Sequence, residues 1–467
     1  MQIIENKTKS LLLGLFFFMC GFIVCLMLLL DPNIPMHYVF LPIMPLSFGF
    51  CCMLFYEVFC YIPKNLGVTI LFGLLFVRNV FTPFAMFLGE YEGVIYLNIE
   101  KNTTPAIFLI VWETVTVFCS VYLYLIKQKR KCSAVDENRK NLSLKVLKKH
   151  FILIVIAASV LVVCDIIAPE MMDSYRTIFD IGNDHFANFE DTEIVRIYGT
   201  TFIKKLAIVL GRYIARALIL IFPAWIIVFS SYKNKITYKI IGFCACFVPF
   251  FYIAGGIARS LIYFVCLLLL HNYCIKNDTS SYKQMIPLLI GVITVGYWWM
   301  FNNDSSDVWR MMSGRLNAYF SGVNIVSGGF NLPTKIEYSV RYFINDFTST
   351  IPFGSTIFGI SHETVQSFFN SANYTSGQIP PTISMGNYYF GPILAPVYSV
   401  IFAILAVNYG NQLHNNKNMH PMKYIRLLIS VFQFSMGIVM YNIEITMTAV
   451  FSLILPMYLI EKLSDKK

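Results

Sequence analysis

Apolar residues gather along this chain in blocks of 17 to 25, separated by short polar segments, and they do not alternate with polar ones. A helix rises about 1.5 Å per residue, so a block of that length crosses the roughly 30 Å of a bilayer's hydrocarbon core. Membrane-spanning strands would alternate with period two instead. The pattern predicts an all-α polytopic membrane protein with about twelve transmembrane helices. They fall at 10–30, 38–60, 66–88, 104–126, 151–168, 207–229, 240–254, 257–272, 284–301, 386–408, 425–441 and 444–460. The seventh and eighth are short and meet at Gly255-Gly256, as a broken or re-entrant pair would. The first block follows Lys7 and Lys9 in the manner of a signal peptide. It is too long for one, and no small-residue cleavage site follows, so a retained first helix is expected.

Composition agrees: 57% of residues are hydrophobic and 13% charged, against about 45–50% and 25% in soluble domains. The net charge of +10 does not indicate nucleic acid, because no basic soluble domain is present to bind it. Lys and Arg crowd three short connections instead: 127–150, the stretch holding Lys233, Lys235 and Lys239, and the stretch holding Lys417, Lys423 and Arg426. With twelve spans all three fall on the side of both termini, which the positive-inside rule makes cytoplasmic. Most of the twelve cysteines lie inside apolar blocks, where they serve as small hydrophobes, and neither a disulfide framework nor a cysteine metal site is expected.

Two long loops then lie outside. One, about 169–206, is acidic. The other, 302–385, separates spans nine and ten and is rich in aromatics, among them Trp309, Tyr319, Phe343, Phe347 and Phe368. That composition argues against disorder. Val308, Met312, Leu316 and Tyr319 recur at helical spacing, as do Val340, Phe343, Ile344 and Phe347, with Pro352 ending the second pattern. Amphipathic helices on the membrane surface, or capping the bundle, are expected.

Ionisable groups inside spans are costly and mark function by default. Arg212 and Arg216 are four apart on the sixth span and share a face, with Lys205 on the same face seven residues earlier. No carboxylate in the spans stands out as their partner. Arg78 lies near the middle of the third span and Arg259 opens the eighth. Arg78 has a rival role as the ion-pair partner of Glu113 at matching depth, and Arg259 and Lys205 have one as snorkelling interface residues. Guanidinium forks suit phosphate oxygens, so a pyrophosphate linking lipid to sugar is a fitting anion. The outer loop adds Arg310, Arg315 and Arg341, the carboxylates Asp304, Asp307, Glu337, Asp346 and Glu363, and His362, the loop's single histidine.

Three stretches carry a family likeness: Gly255-Gly256-Ile257-Ala258-Arg259-Ser260-Leu261, Arg315-Leu316-Asn317-Ala318-Tyr319-Phe320-Ser321-Gly322, and Gly386-Asn387-Tyr388-Tyr389-Phe390-Gly391-Pro392. With the topology, they make the chain resemble the Wzy family of O-antigen and capsule repeat-unit polymerases. An Arg followed ten residues later by Gly, described for outer loops of that family, is not found cleanly here. The resemblance implies a membrane glycosyltransferase in the bacterial cytoplasmic membrane. It would take undecaprenyl-pyrophosphate-linked oligosaccharide as substrate, with no metal or other cofactor, and have a chain-length regulator and a flippase as partners. It implies pyrophosphate binding by Arg212, Arg216, Lys205 and Arg78, and catalytic roles for Arg259, Arg315, Arg341 and His362. An O-antigen ligase shares the topology and the lipid donor and is the nearest alternative. A flippase of the same lipid-linked sugars is another, but its loops are usually short, and 84 residues at 302–385 argue against it.

Overall fold

The structure is a computed structural model that describes residues 2–62, 64–91, 99–129, 144–172, 199, 201–233, 235–251, 257–276, 308–332, 336–351, 354, 364–375, 377–415 and 419–465. Every regular element among them is helical. Helices α1 (Gln2–Leu29), α2 (Ile43–Leu54), α3 (Leu66–Phe76), α4 (Thr82–Leu88) and α5 (Ile99–Lys129) form a first group. Helices α6 (Leu144–Ile167), α7 (Phe202–Lys233), α8 (Ile236–Ala245) and α9 (Ile257–Lys276) form a second. Four shorter helices follow: α10 (Val308–Tyr319), α11 (Val323–Gly329), α12 (Ile336–Thr350) and α13 (Val365–Ala372). The chain closes with α14 (Thr382–Leu394), α15 (Val397–Asn415), α16 (Pro421–Val439), α17 (Ile443–Ala449) and α18 (Leu455–Asp465).

Eight described helical stretches are long and apolar enough to cross a membrane, which makes this a multi-pass helical membrane protein. They match the predicted spans one to six, eleven and twelve. The predicted seventh and eighth spans are shorter apolar helices, and the tenth is a pair, α14 and α15, bent by 106°. The ninth, 284–301, lies outside the described residues. Exposure follows the same logic. The outer helices α1 and α6 leave large aliphatic and aromatic side chains uncovered, such as Phe16 and Ile156, as lipid-facing helices do.

The axis of the bundle is α16, buried over 78% of its apolar stretch and packed against α3, α9, α15 and α18. A helix apolar on nearly every side is stable only with neighbours all round. Helix α3 approaches α15 so closely that a Cβ on Gly67 would overlap the carbonyl of Ala406, the small-residue contact that lets membrane helices meet. Between α3 and α4 the helix widens into a π turn at Val77–Phe81. Pro83 has no N–H for the carbonyl of Asn79 and its ring crowds that carbonyl, and the wider turn removes the conflict. The bend between α14 and α15 starts at Gly391, whose φ of +78° suits glycine, followed by Pro392.

The long segment after residue 302 departs from expectation in one respect. Helix α11 is buried along its whole length and packs against α5; it enters the bundle and does not cap it. It has no charged residue, and Tyr38 donates a 2.6 Å hydrogen bond to Asn324 within it. Helices α10 and α12 form where their spacing predicts.

Candidate functional site

The break between α16 and α17 organises a polar centre. Asn442 caps α17 by accepting from the backbone N–H of Ile445 at 2.7 Å and donates to Gln366 at 3.1 Å. The open carbonyls at the end of α16 are taken by hydroxyls: Thr382 donates to Gly437 at 2.6 Å and Ser321 donates to Val439. Helix ends buried without such partners are costly, so these contacts hold the turn Met440-Tyr441 in place.

A cation meets that turn. Arg259, in the first turn of α9, donates a hydrogen bond to the Tyr441 hydroxyl. One turn further along α9, the buried Tyr263 lies in the field of both Arg259 and Arg216. Arg212, one turn before Arg216 on α7, is buried. Between them Tyr213 donates a 3.1 Å hydrogen bond to the Thr350 carbonyl and so ties α7 to the end of α12. Arg212 and Arg216 both have partners within the structure, so the isolation suggested by the sequence is not retained.

Carboxylates lie beyond the turn. Glu444, in the first turn of α17, accepts a 3.1 Å hydrogen bond from Ser349. Asp346, one turn earlier on α12, is buried. It accepts from the backbone N–H of Val365 at 2.9 Å and from the Tyr389 hydroxyl. Burial raises the Asp346 carboxyl to about 7, against the opposing effect of the two donors. Tyr389 also lies in the field of Glu444. The group therefore joins α7, α9, α12, α14 and α17.

The other sequence candidates lie elsewhere. Arg78 donates to Glu113 at 2.6 Å with both side chains fully buried, the pairing weighed above, and Ser399 donates to the second oxygen of Glu113. Lys205 is exposed near the start of α7, about 10 Å along the axis from Arg212. Arg341 is on the exposed side of α12, about 140° around the helix from Asp346 at about 100° per residue. Arg315 lines a separate cleft with Tyr319, Gln378 and Met440. His362, Asp304, Asp307 and Glu363 lie outside the described residues.

An apolar crevice of about 290 Å³ lies between α6, α7 and the last helical stretch. Tyr213, Ala217 and Ile221 of α7 line it with Leu153, Phe451 and Ile460. Its stripe on α7 neighbours the Arg212–Arg216 face. Sequence reasoning singled out Arg216 and Arg259 but not Tyr263, Tyr441, Glu444 or Tyr389 as their companions. The signal for Tyr263 was available, since it falls one helical turn after Arg259. Tyr441 and Glu444 flank an ordinary-looking connection, and only packing brings them in.

The chain matches no protein-family model, no curated protein and no solved structure. Among the described residues no three His, Cys, Asp or Glu side chains are grouped to hold a metal ion. What the centre offers chemically is two guanidinium groups beside phenols, carboxyls on the neighbouring helices, and an apolar slot along α7.

Proposed function

We propose that this protein is a repeat-unit polymerase of the Wzy kind, which joins undecaprenyl-pyrophosphate-linked oligosaccharides at the outer face of the bacterial cytoplasmic membrane. In this reading the chain crosses twelve times with both termini inside, and 302–385 lies outside. The observation that carries the reading is that Arg216 and Arg259, from two helices, both act on the buried Tyr263 while Arg259 bonds Tyr441, next to an apolar crevice on α7. A lipid pyrophosphate needs both features, a cationic seat for the head and a dry slot for the start of the tail.

In the reaction, an acceptor hydroxyl oxygen attacks the anomeric carbon of the donor glycan. The bond from that carbon to pyrophosphate breaks, and undecaprenyl pyrophosphate leaves with the electron pair. Arg216 and Arg259, supported by Arg212, stabilise the charge growing on the leaving group. Asp346 is the carboxyl suited to take the hydroxyl proton, because a base poised near 7 is the most effective at neutral pH. Tyr389 holds it in place.

Deleting the gene should leave lipid-linked single repeats and abolish long polymer. Polymer that forms normally but is not attached to lipid A would favour a ligase, and loss of single repeats from the outer face a flippase. Arg216→Ala and Arg259→Ala should each lower polymer output about ten- to a hundred-fold at unchanged protein level, if a charge-assisted contact of about 1.5–3 kcal/mol is expressed in the transition state. Lys should rescue in part, because it lacks the fork. Full output from both Ala variants at normal abundance would overturn the assignment.

A further inference from the structure

The second cleft lies on α10, beside the same α16–α17 turn. Its volume is about 340 Å³, at the small end of ligand pockets, which run from about 300 to 1,000 Å³. That suits one or two sugar rings and not a long glycan. Arg315 and Tyr319 stand one turn apart on α10, and Gln378 and Gly377 form the facing wall, with Met440 at the end.

That wall is braced. The Asn370 amide donates to the carbonyls of Gln366 and Gln378, each at 2.9 Å, and its oxygen accepts from the Gln378 N–H and the Thr375 hydroxyl, each at 3.0 Å. Gly377 turns the strap at φ +70°, with open space where a side chain would project. A pocket held in shape before its ligand arrives loses less entropy on binding.

The charge pattern inside the cleft is selective. On the same helix Arg310 is matched by Glu90 at 2.9 Å. No described carboxylate stands within ion-pair distance of Arg315, which is partly buried in the cleft wall. Tyr319, 60% exposed, presents a ring for the apolar face of a pyranose. Gln378 carries an amide of the kind that hydrogen-bonds hydroxyls, and a guanidinium fork matches a carboxylate.

We propose that this cleft is a saccharide subsite for an acidic sugar, a hexuronic acid or a similarly carboxylated residue of the repeat unit, with Arg315 as the specificity-determining residue. The source of the sugar rests on the polymerase reading; the recognition chemistry does not. The cleft is distinct from the Arg216–Arg259 centre and sits against Met440, next to Tyr441, so a sugar held there would border the pyrophosphate seat.

The test is direct binding to the full chain in lipid nanodiscs. The probes are a hyaluronan tetrasaccharide, which carries glucuronate, chitotetraose, which is neutral, and inorganic pyrophosphate. The acidic tetrasaccharide should bind at least ten-fold more tightly than the neutral one. Arg315→Gln should erase that preference, whereas Arg310→Gln, which removes the same charge from the same helix, should keep it. Tyr319→Ala should weaken both sugars alike. Equal binding of the two sugars by the unaltered protein, or a preference that survives Arg315→Gln, overturns the proposal. Complete displacement of the sugar by pyrophosphate would mark a phosphate site and overturn it too. Binding needs no turnover, so failure of the polymerase reading would appear in the gene deletion and leave this result unaffected.

Discussion

Two buried carboxylates, Glu113 and Asp346, show how one functional group takes different parts. Glu113 is fully buried against Arg78 and Ser399. The Nε and Nη2 of Arg78 are also buried and make no hydrogen bond to a described residue. Removing one partner leaves an uncompensated charge, worth about 3–5 kcal/mol. Arg78→Met or Glu113→Leu alone should therefore deplete the protein from the membrane. The pair together should restore its level, because an apolar pair of similar volume is often neutral or better. If the double variant is abundant and still makes polymer, Arg78 is structural; if abundant but inactive, it touches substrate after all. Asp346 differs because its carboxyl is raised to about 7 by burial, whereas an unfolded Asp titrates near about 3.9. Between those values the folded protein holds a proton that the unfolded chain has lost, so stability rises as pH falls through 7 toward 4. The slope is about 1.4 kcal/mol per pH unit at most. Asp346→Asn removes that titration. In detergent the thermal midpoint of the unaltered protein should rise relative to that of Asp346→Asn as pH falls from 8 to 5, and parallel curves would disprove the shift.

At the level of elements, the apolar blocks were legible because a membrane demands long uncharged helices, and length and composition suffice to find them. The short helices were legible in position but not in orientation. The stripe Val340, Ile344 and Phe347 on α12 is exposed, at 53%, 45% and 50%, while Asn345, Asp346 and Thr348 are buried. In water that arrangement would be inside out. At a membrane surface it turns the apolar side to lipid and the polar side to the protein's own polar centre. Helix α10 behaves alike, burying Ser313 and Asn317. Helix α11 was not anticipated at all, since seven residues with two glycines carry no periodic signal. The Gly391-Pro392 pair was visible as a breaker, yet the surrounding hydrophobicity made 386–408 read as a single span. Of the centre, the cations were legible because charge within an apolar block is conspicuous. The tyrosines and Glu444 were not, because their role depends on which helices become neighbours.

Across the whole molecule the contacts sort into two ends. At one end Trp225 donates to the Leu147 carbonyl at 3.2 Å, Tyr273 to the Met419 carbonyl at 2.7 Å, and His271 meets the Lys239 carbonyl at 3.0 Å. These contacts bring the start of α6, the start of α8 and the start of α16 together, and with them three separately basic connections. At the other end are the Tyr213–Thr350 and Ser349–Glu444 hydrogen bonds and the polar centre. On the proposed topology this charge bias keeps the basic end in the cytoplasm and sets the polar centre and the Arg315 cleft toward the outside, whereas the apolar crevice runs past Leu153 and Ile460 toward the basic end. The chain is suited to a direct test, since none of its twelve cysteines falls within 169–206 or 302–385. In intact cells a membrane-impermeant maleimide should leave the unaltered protein unlabelled. It should label Tyr374→Cys, a position 85% exposed, at once. Lys235→Cys, between α7 and α8, should react only after the membrane is opened. Labelling of Lys235→Cys in intact cells with Tyr374→Cys protected would invert the orientation, place the arginine centre on the cytoplasmic side, and remove the polymerase reading with it.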